Sequence, residues 1–84
     1  MHCPGMIFYF DHRDGEAFYP DEDGLEFETV ELARLEATRA LADAARDALP
    51  GAERRELAIE VFDVDRTPLF RTALRFEVQS LSAS

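Results

Sequence analysis

The sequence predicts an α+β fold in the order ββαββ, an antiparallel sheet with one long helix packed on one face. Three observations carry that prediction. Apolar residues recur at helical spacing from Val30 to Ala48, ahead of Pro50-Gly51. They alternate with polar ones at a period of two in Leu57–Val64 and again in Leu69–Gln79. Turn signals, Asp14-Gly15 and Asp23-Gly24, divide the segment before the helix.

Taken in chain order, residues 1–5 read as a flexible leader, and the first strand begins with Met6-Ile7-Phe8-Tyr9-Phe10. Its register puts Met6, Phe8 and Phe10 inward. Asp14-Gly15 suits a hairpin turn, and Glu16 to Tyr19 is the short return strand. Pro20 cannot donate to a ladder, so that strand ends there or forms an edge. Asp23-Gly24 then turns the chain into Leu25-Glu26-Phe27. Thr29 is placed to cap the helix, with Glu28 and Glu31 near its positive end. The inward stripe is Val30, Ala33, Ala37, Ala40, Leu41, Ala44 and Ala48; its alanines permit close approach to the sheet, while Leu32 and Leu35 fall outside it. The third strand turns Leu57, Ile59 and Val61 to one face. The fourth turns Phe70, Leu74, Phe76 and Val78 inward and Arg71, Arg75, Glu77 and Gln79 outward. Residues 80–84 read as a flexible tail. Nothing in the 84 residues resembles a linker or repeat, so 1–84 is expected to be a single domain.

The charge is unevenly distributed. Nine acidic side chains lie between Asp11 and Glu31 against Arg13 alone, so that stretch carries nearly all of the net charge of −9. Turn residues and aromatics interrupt it, which makes it an ordered acidic hairpin and not a solvated tail. All nine basic residues are Arg, and the absence of Lys and Asn excludes a Schiff-base lysine, a phosphate-loop lysine and an Asn-linked glycan. The single Cys3 excludes an intramolecular disulfide, and no apolar run reaches membrane-span length. A cytoplasmic location is the expectation.

Tyr9-Phe10 followed by Arg13-Asp14-Gly15, then Pro20-Asp21-Glu22 and Gly24, then an Ala/Arg/Glu-rich helix ending near Pro50-Gly51, then Glu60-Val61 with Asp63, occur in a recognisable order. From Ile7 to Leu74 the chain resembles DUF6894, a family of short bacterial proteins described as a domain of unknown function. The resemblance implies a compact domain and brings no activity, cofactor or catalytic residue with it. The chain departs from the pattern at Arg66, where the family carries a glycine, and in its first five residues. A looser likeness to HicB-type antitoxins rests on Pro20, Gly24 and the following helix, and is one of fold alone.

Four functional classes can be weighed. Catalysis finds no support, because the serines are confined to Ser80, Ser82 and Ser84 and crowded surface carboxylates are ordinarily solvated charge. No catalytic residue and no cofactor is therefore assigned. A hard cation would draw on Asp14, Asp21, Asp23 and Glu26, yet aligning Gly24 with a calcium-loop glycine puts Tyr19 and Val30 where carboxylates belong. Nucleic acid binding would use Tyr9, Arg13, Arg71 and Arg75 on an open sheet face, against the field of a strongly acidic chain. The fourth class follows from Ile7, Tyr9, Phe62, Val64 and Leu69, which alternate onto the face without a helix and form an apolar surface that needs a cover. The sequence thus reads as a non-enzymatic protein-interaction module that self-associates as a homodimer through Tyr9, Phe62 or Leu69. The alternatives are a small-ligand- or divalent-cation-binding accessory protein using the acidic hairpin 11–31, and a HicB-like antitoxin or nucleic-acid-associated regulator.

Overall fold

In the computed structural model, which describes residues 5–82, strands β1 (Met6–Asp14) and β4 (Arg54–Phe62) form the centre of an antiparallel sheet. Tyr9 lies opposite Phe62 and Asp14 opposite Leu57. β5 (Pro68–Glu77) pairs with β4 from Arg54 opposite Glu77 to Val61 opposite Phe70, with an irregularity between Val61 and Phe62 before the chain turns. On the far side of β1 lie two short strands, β2 (Ala17–Tyr19) and β3 (Leu25–Phe27). His12 faces Tyr19 and Phe8 faces Leu25, so the arm uses two more residues than β1 over the same span. β2 and β3 are therefore two halves of one edge, interrupted by the loop 20–24.

The helix α1 (Val30–Ala48) begins where the sequence places it. Thr29 is extended, and its Oγ1 accepts the N–H of Leu32 at 3.1 Å, satisfying one of the free amides of the first turn. At the other end Gly51 takes φ 87°, and the N–H of Ala52 donates to the carbonyl of Leu49. Ala33, Ala37 and Leu41 bury against Phe8, Phe10, Leu57, Ile59 and Val61 in one core cluster, with Phe27, Ala40, Ala44, Phe70 and Leu74 packed around it. The rings of Phe10 and Phe27 meet edge to face, with centroids 6.0 Å apart.

Four inward assignments need correction. Val30 starts the helix beyond the sheet and is exposed, and Met6 at the outer end of β1 is exposed as well. Phe76 shares the face of the core residues but is only half-buried, because α1 sits over β4 and leaves the end of β5 uncovered; Val78 beyond it is exposed. Leu32 and Leu35 are exposed, as their helical positions predict. Residues 1–4 of the expected leader and residues 83–84 of the expected tail lie outside the described residues, while residues 80–82 have neither helix nor strand.

Candidate functional site

The acidic hairpin is organised around two carboxylates that accept backbone amides. The bond from the Gly15 N–H to the Glu56 carbonyl, 2.8 Å, fixes the phase of the β1–β4 ladder, and that phase turns the Phe10 amide away from β4. Where the interrupted edge offers no carbonyl, Asp21 Oδ2 accepts that N–H at 3.0 Å. Its other oxygen accepts the amides of Asp23 and Gly24, each at 3.1 Å, and so holds the loop closed. Burial pushes the Asp21 carboxyl up, but the amides of Phe10, Gly24 and Asp23, with nearby His12, outweigh it and hold its pKa below the ordinary carboxylate value. Gly24 itself takes φ 76°, and a Cβ there would stand 2.9 Å from the Ile7 side chain, so both conformation and space require glycine.

Asp11 is 2% exposed and is the one buried charged residue among the described residues. Its Oδ1 accepts the Asp21 N–H at 2.9 Å, and its Oδ2 accepts Arg66 Nη2 at 2.9 Å. A fully paired carboxylate can be buried in this way; an unpaired one could not. Arg66 reaches it from a left-handed backbone, φ 63°, at the position where the family resemblance places a glycine. Its guanidinium carbon lies 4.9 Å from the Tyr9 ring centroid and 4.7 Å from that of Phe62. One side chain therefore neutralises Asp11 and covers two aromatic rings.

This arrangement revises the apolar face expected opposite the helix. Tyr9 and Phe62 are half-buried beneath Arg66, and between the strands the face is ionic. Arg13 donates to Glu60 at 2.9 Å, Arg71 lies 3.6 Å from the same carboxylate, and Arg75 donates to Glu56 at 2.9 Å. The arginines nominated for stacking bases are thus on the predicted face, but carboxylates engage them there. A hollow of about 390 Å³ between Arg13, Arg71 and Arg75 has buried Ala58 on its floor. Leu69 is 40% exposed.

The four acidic residues weighed as cation ligands have different surroundings in the fold. Asp14 is gripped by Arg55 of β4, with Nε 2.6 Å from Oδ1 and Nη2 2.7 Å from Oδ2. Those hydrogen bonds hold the Asp14 pKa below its ordinary value despite partial burial, and Asp14 in turn raises that of Arg55. Asp21 spends both oxygens on backbone amides, while Asp23 and Glu26 are exposed. Among the described residues no three His, Cys, Asp or Glu side chains converge as a metal site. Asp11, Arg55 and Arg66 had no sequence signal as a site. Asp11 looks like one more surface acid, and only the departure at Arg66 marks a position out of pattern.

On the other face, α1 leaves an open groove beside β5, about 490 Å³, lined by Ala45, Arg46, Leu49, Pro50 and Phe76. β5 closes the sheet order on that side, and its outer edge has no strand beside it among the described residues. A sheet covered by one helix, with one edge interrupted and acidic and the other long and uninterrupted, defines a small α+β domain whose free surface lies along β5. The chain belongs to the family described as Domain of unknown function (DUF6894), whose model matches residues 7–75. That match lends no support to the likeness to HicB-type antitoxins. No curated protein and no solved structure shows significant similarity to the chain. Among the described residues no helix is long and apolar enough to cross a membrane.

Proposed function

We propose that this chain is a non-enzymatic protein-interaction module that self-associates as a homodimer in the bacterial cytoplasm. The observation that carries the reading is the apolar margin between α1 and β5. There Leu49 and Phe76 line the groove, and Phe70 and Leu74 are only partly buried. Apolar side chains gathered along one margin are costly to leave in water, and a second copy is the commonest cover for such a surface. Of the residues expected in the contact, Leu69 lies on β5 and is 40% exposed, while Tyr9 and Phe62 are half-buried behind Arg66. The single cysteine and the likeness to short bacterial proteins support the compartment.

Melting followed by circular dichroism over roughly a hundredfold range of protein concentration tests this, because association stabilises the folded state by mass action. The expected result is a midpoint that rises with concentration. A midpoint independent of concentration would overturn the reading.

A further inference from the structure

We infer that the second copy docks edge to edge, by two-fold antiparallel pairing of β5 with the partner's β5 about Leu74. This rests on the self-association proposed above and names the surface that performs it.

The direction of the backbone groups comes first. The Val78 N–H donates to the Glu53 carbonyl at 2.8 Å, which makes the even-numbered residues of β5 the ones bonded to β4. The amides and carbonyls of Leu69, Arg71, Ala73, Arg75 and Glu77 therefore point out of the sheet. Nine residues run without a break after Pro68, and none is a lysine. The opposite edge has the usual protection against pairing: short strands, Pro20, an inserted loop and a dense acidic charge. β5 is long and uninterrupted, its proline is confined to its first residue, and the spacing of its charged residues selects a register.

Bonding through the odd-numbered residues leaves few two-fold registers. Centring on Ala73 sets Arg71 against Arg75, and centring on Arg75 sets that residue against itself. Centring on Thr72 leaves Glu77 beyond the partner strand. Centring on Leu74 sets Arg71 opposite Glu77 at two symmetric places on the helix-free face, where cross-strand opposite charges attract. On the helical face the same register brings Leu74 against Leu74 and Thr72 against Phe76, which closes the groove beside Leu49. The acidic edge then lies farthest from the junction, about 14 Å away across three strand spacings, where the mutual repulsion of the two copies is least.

Two charge variants test the register. Arg71→Glu alone, or Glu77→Arg alone, places like charges opposite each other twice, and each should weaken self-association about tenfold or more. Mixed in equal amounts, the two variants present opposite charges at both places and should form a heterodimer in sedimentation velocity. Ala73→Pro, which removes an outward amide and none bonded to β4, should give a folded monomer by circular dichroism and sedimentation. If the unaltered chain is monomeric, the self-association reading fails. If it dimerises while both charge variants dimerise equally well, or their mixture gains nothing, the β5 junction fails and self-association stands. Should Ala73→Pro not fold, the mixing experiment still decides.

Discussion

Asp21→Asn replaces a carboxylate that accepts three backbone amides with a group that has one oxygen and one NH2. Whichever way the amide is turned, either the Phe10 N–H or the pair from Asp23 and Gly24 faces a donor. The Phe10 amide is partly buried at a gap in the edge, so it regains water poorly. Leaving such a group unsatisfied costs about 1–3 kcal/mol, and the loss of a charged acceptor places this change in the upper half of that range. An 84-residue domain has a total stability of about 4–13 kcal/mol, so the loss is a large fraction of it. Urea unfolding at neutral pH should show a clearly lower midpoint for Asp21→Asn, with Asp23→Ala within about 0.5 kcal/mol of the unaltered chain. The pH dependence gives a second reading. The folded pKa of Asp21 is depressed below 3.8, so its contribution is fully present above that unfolded value and is lost as pH falls through the folded value. The gap between the unaltered chain and Asp21→Asn should therefore close in acid. Equal midpoints at neutral pH, or a gap that persists in strong acid, would refute the assignment of Asp21 as the support of the loop.

Arg66→Gly relieves a left-handed backbone but removes the partner of buried Asp11, whereas Arg66→Ala keeps the strained conformation and loses the same contacts. Thermal melts should rank the unaltered chain above Arg66→Gly and that above Arg66→Ala, the last two separated by about 1 kcal/mol. Phe8→Ala should cost about 3–5 kcal/mol by urea titration, because the ring is 1% exposed; Phe76→Ala, at the open margin, should cost distinctly less. With Asp14 held by Arg55 and Asp21 by amides, calcium should stabilise the fold no more than sodium chloride at matched ionic strength, and a stoichiometric site in isothermal titration would contradict that.

The frame of this fold is legible wherever local chemistry and packing agree. Thr29 caps α1, Gly51 follows its end, and the alternation of Leu57, Ile59 and Val61 sets the core face of β4. The acidic hairpin is legible as ordered, but its internal wiring is not. The spacing of Asp21 to Gly24 indicates a turn, and nothing in it tells that one carboxylate would reach back to the Phe10 amide. Asp11 follows the polar alternation of β1, yet it is buried with Arg66, 55 residues away, on one oxygen and the Asp21 amide on the other. The same long-range contact explains why an apolar surface inferred from Tyr9 and Phe62 is partly covered. Phe76 has the periodicity of a core residue, but α1 is too narrow to cover β1, β4 and β5 together, and the surplus falls at the edge. Periodicity gives a residue its face; the placement of the helix decides how deeply it is buried.

Sedimentation equilibrium of the unaltered chain over a wide concentration range tests the central claim most directly. The account predicts a mass that climbs from the 9.5 kDa of the monomer towards twice that value and stops there, since pairing of the two β5 edges uses up the only long free edge among the described residues. A mass that stays at 9.5 kDa at the highest concentrations would contradict it.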